Sequence, residues 1–459
     1  MGFASRCGAG VSSFRRPMPS YRPIMAGFRQ CCLFNPTAPQ TILRLRHGVA
    51  SAAQPCPARP ARFLSPRRRT VMNNNLSFPS ARSGAAVPVT VLGAGKIGRT
   101  IAGMLRDSGD YAVTVVDRYR DALDALPAGV STRVADPSER QACIDALAGA
   151  AAVINALPFH AAVPVATVAA EMGVHYFDLT EDVAATRAIR TLANDAHAVL
   201  MPQCGLAPGF IGVVGHDLAQ RFLRGGGQLL DLRMRVGALP RYPNNALKYN
   251  LTWSTEGLIN EYCNPCEAIV DGRRVEVPAL EGLESFALDG IEYEAFHTSG
   301  GLGTLPETLA GRARHVDYKS IRYPGHCAVI KLLLDDLRLR ERRDWLREIF
   351  DSAIPLTEQD VVVVFASATG RTAGEDGRLG PLTQASFSAR IGGAEGEHGH
   401  LNAIQLTTAA GVCAALDMVI AGQLPQRGFV RQEDMRLEAF LANRFGRHYT
   451  CHPLQEALA

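Results

Sequence analysis

From Val87 onward, short β-branched runs alternate with stretches in which apolar residues recur every three or four positions; the residues before it show no sustained apolar period. Val87-Pro88-Val89-Thr90-Val91-Leu92 predicts a strand that leads without a linker into Gly93-Ala94-Gly95-Lys96-Ile97-Gly98. Ile101, Met104 and Leu105 then share one helical face between Arg99 and Ser108, and Tyr111 to Val116 predicts a second strand ending at Asp117. The alternation continues with helix Tyr119 to Leu126, strand Ser131 to Val134, helix Ser138 to Leu147 and strand Ala152 to Ala156. Helix Val165 to Met172, strand His175 to Leu179, helix Ala184 to His197 and strand Ala198 to Met201 follow. Strands alternating with helices predict a Rossmann-type α/β domain, a doubly wound parallel sheet covered on both faces.

After Gly205 the texture changes. Gly225-Gly226-Gly227 breaks the chain, longer strands such as Leu229 to Val236 and Val361 to Ser367 appear, and Asp271-Gly272 signals a hairpin. These features predict an α+β domain with a mixed sheet. Asn402 to Ala421 is apolar and Ala-rich and predicts a long buried helix. The organisation expected is a leader over 1–86, a dinucleotide-binding domain over 87–206, a substrate domain over 207–400 and a helical C-terminal segment over 401–459.

Charge sharpens this division. Residues 1–86 hold thirteen Arg and no Lys, Asp or Glu, leaving 35 basic against 44 acidic residues from Val87 onward, a net charge of −9. An acidic body offers no nucleic-acid surface. The leader reads as translation begun upstream of a true start at Met72, in preference to an organellar transit peptide or a basic RNA-binding arm. No run of 18 apolar residues predicts a membrane span. The scattered cysteines of the body read as reduced thiols in a cytoplasmic protein. Cys263-Asn264-Pro265-Cys266 has no second pair and no His at ligand spacing, so no metal site is expected.

The glycine-rich string carries the first chemical reading. Gly93, Gly95 and Gly98 follow a strand, open a helix and precede Asp117 at the end of the second strand, which is the setting a dinucleotide pyrophosphate requires. Gly93 permits the tight turn, Gly95 lets the backbone approach the phosphates, and Gly98 lets helix pack on strand; Lys96 and Ile97 lie between them. Asp117 is placed for the adenosine ribose and favours NAD, while Arg118 beside it leaves NADP open. Asp136 ends the third strand near the adenine. Asn155-Ala156-Leu157-Pro158 and Asp178-Leu179-Thr180-Glu181 end the fourth and fifth strands and should face the cofactor, as should Leu206 and Pro208.

Five segments give the chain a family likeness: residues 91–98, Cys204-Gly205-Leu206-Ala207-Pro208-Gly209, YNLTWSTEGL from Tyr249, EAFHTSGGLGTL from Glu294 and KSIRYPGH from Lys319. In these the chain resembles the saccharopine dehydrogenase family, with its nearest likeness to lysine 6-dehydrogenases. The resemblance implies a substrate domain with a mixed sheet, a C-terminal helix that returns to the first domain, and oxidation of a carbon bearing an amine. The expected reaction converts lysine to 2-aminoadipate 6-semialdehyde with release of ammonia. Saccharopine cleavage and carboxynorspermidine-type reductive coupling are the alternatives within this class; a catalytically silent NAD-binding sensor is the alternative outside it. The expected partner is a small amino-acid substrate, in a homo-oligomer of two or four chains.

Such a substrate needs a cation for its carboxylate, and Arg322 offers a guanidinium fork, flanked by Tyr323 and His326. A base must also take a proton from the substrate ammonium before hydride leaves. Glu256, His297, His326 and Asp178 have suitable chemistry, with no one of them preferred. Thr298 and Ser299 suit the amino-acid head, and Trp253 and Tyr249 suit the pocket wall.

Overall fold

The structure, a computed structural model, describes residues 84–396 and 399–451, so the leader up to residue 83 lies outside the described residues. The chain opens with strand β1 (Val87–Leu92), helix α1 (Lys96–Asp107), β2 (Tyr111–Asp117), α2 (Arg120–Asp124), β3 (Ser131–Val134) and α3 (Arg140–Leu147). It continues with β4 (Ala152–Asn155), α4 (Ala162–Met172), β5 (His175–Asp178), α5 (Val183–Ala193), β6 (Val199–Met201) and α6 (Phe210–Leu223). Every strand expected in this half is present, within two residues of its expected ends. β1 and β4 are buried along almost their whole length, as strands covered on both faces must be.

The second half holds β7 (Gln228–Pro240), α7 (Thr255–Cys263), β8 (Cys266–Val270), β9 (Arg273–Val277), β10 (Glu284–Leu288) and β11 (Ile291–His297). After these come α8 (Leu305–Leu309), β12 (Ala313–Arg322), α9 (His326–Lys331), α10 (Arg343–Ala353), β13 (Asp360–Ala373) and β14 (Leu379–Gly392). A short hairpin of β15 (Ala394–Gly396) and β16 (Gly399–Leu401) precedes α11 (Ala403–Ile420) and β17 (Gly428–Phe429). Asp271 and Gly272 both adopt positive φ between β8 and β9, so the hairpin signal in the sequence is realised.

Two large sheets result. The first is parallel, in the order β17-β6-β5-β4-β1-β2-β3. Strand order reverses between β1 and β4, and a crevice opens at their carboxyl ends. The second is mixed, in the order β10-β11-β12-β7-β13-β14, with β12 parallel to β7 and with β8 and β9 off the main path. α6 packs on β7 and β13, while α11 packs on α1 and β13 and so joins the two halves.

α11 is held at its start by a capping box of Asn402 and Gln405. By length and composition it could cross a membrane, which the sequence reading did not register, but 78% of it is buried inside the fold. Alanines and Gly411 let neighbouring backbone come close. Tyr111 donates to Asp417 at 2.6 Å and Arg444 bridges Asp110 and Asp417, which ties the C-terminal segment to the first sheet. β17 then adds itself to β6 at the edge of that sheet.

Candidate active site

At the switch point the glycines do three different things. Gly93 has φ +100°, and a Cβ there would lie 3.0 Å from the Ala156 carbonyl beyond β4. A Cβ on Gly98 would come within 1.9 Å of the Gly93 carbonyl, so helix and turn meet only because position 98 has no side chain. A Cβ on Gly95 would meet nothing within 4 Å. The fold does not need glycine at 95, but a ligand seated on the amino terminus of α1 does. Asp117 accepts from Ala94 N at 2.7 Å and Tyr119 N at 2.8 Å, which turns its carboxylate toward the same loop. Arg118 lies over the Tyr119 ring and 3.8 Å from Asp136, both at the exposed rim, and Lys96 is exposed. These residues fit a dinucleotide, with a pyrophosphate in the open space at Gly95.

A cavity of about 210 Å³ adjoins this crevice. One wall comes from the first sheet: Ile97, the loop from Ala156 to Phe159, Leu179 to Glu181, and Gly205 to Pro208, where the Ala207-Pro208 peptide is cis. The other wall comes from the second half: Trp253, Glu256, Gly257 and Glu261 around α7, and Tyr318, Ser320 and Arg322 on β12. The alternation of a strand explains the last three, since residues two apart share a face.

The same alternation decides which expected residues stay away. His297 pairs with Lys319 in register, so it lies on the opposite face of the sheet, near Arg235, Asp317 and Glu284. Tyr323, next to Arg322, also points away; its hydroxyl donates to the Pro240 carbonyl at 3.0 Å. Thr298 sits behind Ser320, with 2.8 Å between their hydroxyls, and Ser299 donates to the Pro265 carbonyl at 2.8 Å. Asn155 does not line the cavity; its side chain accepts from Leu157 N and so holds the loop that does.

Asp178 lies behind the wall. Its carboxylate accepts from Tyr176 Oη at 2.7 Å, Gln203 N at 2.8 Å and Thr180 N at 3.0 Å, and so pins the loops after β5 and β6. Burial raises its pKa to about 6 against the lowering effect of those donors. It is placed to anchor loops, not to meet a substrate.

Arg322 is 3% exposed, and its guanidinium lies 4.9 Å from the Tyr249 ring centre. Tyr249 therefore supports Arg322 from outside the cavity lining. Nε donates to Tyr262 Oη at 2.9 Å and Nη1 to the Ile321 carbonyl at 2.8 Å, while Nη2 stands 3.9 Å from Glu261. Tyr262 Oη, having accepted from Arg322, donates to His326 Nε2 at 3.0 Å, and His326 Nδ1 donates to the Leu247 carbonyl at 2.8 Å. The chain of bonds requires His326 to be neutral with its proton on Nδ1. His326 orients Arg322 from behind. Burial first, then the positive charge of Arg322, pushes its pKa down to about 3.

That depression has a sign. The unfolded chain takes up a proton on His326 below about pH 6.5 while the folded one does not, so this contribution to stability is full above pH 6.5 and is lost as pH falls toward 3. His326→Gln should remove a slope of about 1 kcal/mol per pH unit across that window. Denaturant unfolding of both proteins at a series of pH values measures it; parallel curves would refute the neutral, buried assignment.

Glu181 belongs to a run expected at the cofactor but was given no role of its own, and Glu261, Tyr318 and Ser320 are wall residues that sequence reasoning did not select. A usable signal was present for Glu261, because Gly257 and Glu261 are four apart on α7 and share its face. Burial raises the pKa of Glu261 to about 8, opposed by Arg322, and that of Glu181 to about 7, with Asp182, Asp178 and Glu256 adding repulsion. Three carboxylates and one guanidinium thus face one small space. It suits a ligand that carries both a carboxylate and an ammonium.

Comparison with known proteins places these features in a family. Residues 205–445 match the Saccharopine dehydrogenase C-terminal domain and residues 89–201 the Saccharopine dehydrogenase NADP binding domain. The chain is 26% identical over 294 residues to Saccharopine dehydrogenase [NADP(+), L-glutamate-forming] of Pyricularia oryzae, a match covering 62% of this chain and 64% of that protein. It therefore spans somewhat less than two thirds of that relative's length. Among solved structures, the apo saccharopine dehydrogenase (L-Glu forming) of Saccharomyces cerevisiae shares the fold, with a TM-score of 0.63, 18% identity, 77% of this chain covered and 96% of that one.

Proposed function

Because the chain belongs to the saccharopine dehydrogenase family, we propose that it is a nicotinamide-dependent dehydrogenase of a lysine-type amino acid, oxidising the carbon that bears the side-chain amine. One observation carries this reading: the cavity beside the dinucleotide crevice sets a single buried guanidinium, Arg322, among three carboxylates. Arg322 holds the substrate carboxylate, and Glu181 and Glu256 face the amine end. The dinucleotide supplies the hydride acceptor. Ile97, Leu157 and Pro208, which belong to the apolar part of the wall, help to exclude water from the reacting carbon. Asp117 supports NAD as the preferred form by repelling a 2′-phosphate, with NADP, favoured by Arg118, as the form to compare. The unbridged cysteines of the described residues accord with a cytoplasmic location.

A second reading, oxidative cleavage of saccharopine, is favoured by the name of the Pyricularia oryzae relative. Formation of reduced dinucleotide should be followed with lysine, saccharopine and polyamines in parallel, each with NAD and NADP. Turnover of lysine with release of ammonia is expected. Turnover of saccharopine alone would replace the first reading by the second, and a protein that binds dinucleotide but turns over none of these would sink both.

A further inference from the structure

Glu181 stands on the loop after β5, immediately before Asp182, whose side chain caps α5. Its carboxylate lies against α7: a Cβ added to Gly257 would be 3.2 Å from Glu181 Oε1 and 2.4 Å from the Trp253 ring. Glycine at 257 is what allows carboxylate and indole to share that part of the wall. On the other side a Cβ on Gly300 would collide with the Glu181 backbone, so the loop is held from both directions. Among the described residues, no side chain gives Glu181 a hydrogen bond or an ion pair.

The other two carboxylates are differently placed. Glu261 has Arg322 Nη2 at 3.9 Å. Glu256 sits in the first turn of α7, with the partial positive charge of the helix amino terminus beside it. Glu181 alone combines an open position on the cavity, a place at the carboxyl end of a parallel strand beside the dinucleotide crevice, and no cation of its own.

We propose that Glu181 is the catalytic base, receiving the proton of the substrate's side-chain ammonium beside Trp253 while Arg322 holds the substrate carboxylate. This rests on the amine-dehydrogenase reading above. The ammonium gives one proton to the Glu181 carboxylate, which frees the nitrogen lone pair. The adjacent C–H bond then breaks, its electron pair leaving as hydride to the oxidised nicotinamide dinucleotide, and a C=N bond forms; the carbon is oxidised and the dinucleotide reduced. Water adds to that carbon, ammonia leaves, and an aldehyde remains. Glu181 returns its proton to solvent. A resting pKa raised to about 7 by burial matches a base that works near neutrality. The charged groups acting on it are Asp182, Asp178 and Glu256, together with Glu261, which in turn faces Arg322.

The assignment can be tested with and without turnover, on the full chain. With its pKa raised toward neutrality, Glu181 carries protons that an ammonium binding there must expel. Calorimetry of 1,5-diaminopentane binding in buffers of different ionisation enthalpy should show proton release by the wild type. Glu181→Gln should release markedly less and bind the diamine roughly tenfold more weakly, with glutarate and NADH binding unchanged. In turnover, Glu181→Gln should lower kcat at least about a hundredfold and remove the ascending limb near pH 7 from the kcat/KM profile, which reports the free enzyme, whereas Glu181→Asp should retain diamine binding with reduced kcat. Unchanged proton release and an unchanged pH limb in Glu181→Gln would overturn the proposal. If Glu181→Gln does not fold, Glu181→Asp decides: wild-type kcat with the same pH limb at the shorter reach overturns it. A wild type that oxidises no amine defeats the functional reading, and the calorimetric comparison still decides the ammonium contact.

Discussion

Gly95→Asp is expected to leave a folded protein that no longer binds a nicotinamide dinucleotide. The backbone at 95 is extended, with φ −67°, and a Cβ there meets no atom within 4 Å, so neither strain nor collision opposes a side chain. The space that side chain enters lies at the amino terminus of α1, whose first N–H groups have no intrahelical partners. An aspartate there takes those donors for itself, as a capping residue does, and places a negative charge where a pyrophosphate must come. Like charges forced together cost several kcal/mol, so affinity should fall at least about a hundredfold. Gly95→Ala, which adds bulk without charge, should fall between. Gly98→Ala should behave differently again, because its Cβ would lie 1.9 Å from the Gly93 carbonyl and the fold itself must give way. Calorimetric titration with NADH and NADPH, beside thermal melts, separates the three; wild-type affinity in Gly95→Asp would remove the phosphate site from this turn.

Arg322→Ala is expected to lower kcat/KM for the substrate by roughly tenfold to a few hundredfold, the loss of a charge-assisted contact worth about 1.5 to 3 kcal/mol. Nε and one N–H of Nη1 are committed to Tyr262 and Ile321, so the fork meets a carboxylate through its Nη1 and Nη2 end. Arg322→Lys keeps the charge, loses the fork and should fall between alanine and wild type. Truncation also removes the cation beside Glu261 and the donor to Tyr262, so some stability is lost with it. Dinucleotide affinity is the measurement that tells recognition from structure. It should remain at the wild-type value in both variants; a joint loss of dinucleotide binding and folding, or an intact kcat/KM, would make Arg322 a core residue only.

Much of the fold was legible along the chain because the signals are local. β1, the glycine turn, α1 and β2 follow one another without a break, so period, turn chemistry and the acidic Asp117 reinforce each other within about thirty residues. The hairpin at Asp271-Gly272 and the burial of Asn402 to Ala421 were readable for the same reason. Strand β17, two residues long, left no such signal: Gly428 and Phe429 become a strand only because β6 offers them an edge.

The site was legible as a set of segments and not as a set of side chains. The run from Asp178 to Glu181 was expected at the cofactor, and its last three residues line the cavity while Asp178 is spent on Tyr176, Gln203 and Thr180. KSIRYPGH was expected at the substrate, yet only Ser320 and Arg322 face it, Tyr323 points the other way and His326 stands behind Arg322. Sequence by itself determined the strand order's raw material, the phosphate turn and the residue types at hand, because those depend on neighbours a few positions apart. Tertiary structure decided which of them meet. That choice depends on the phase of each strand's pleat against the packing of the sheet, and on partners such as Tyr262 and Glu261 some sixty residues from Arg322, which no local pattern encodes.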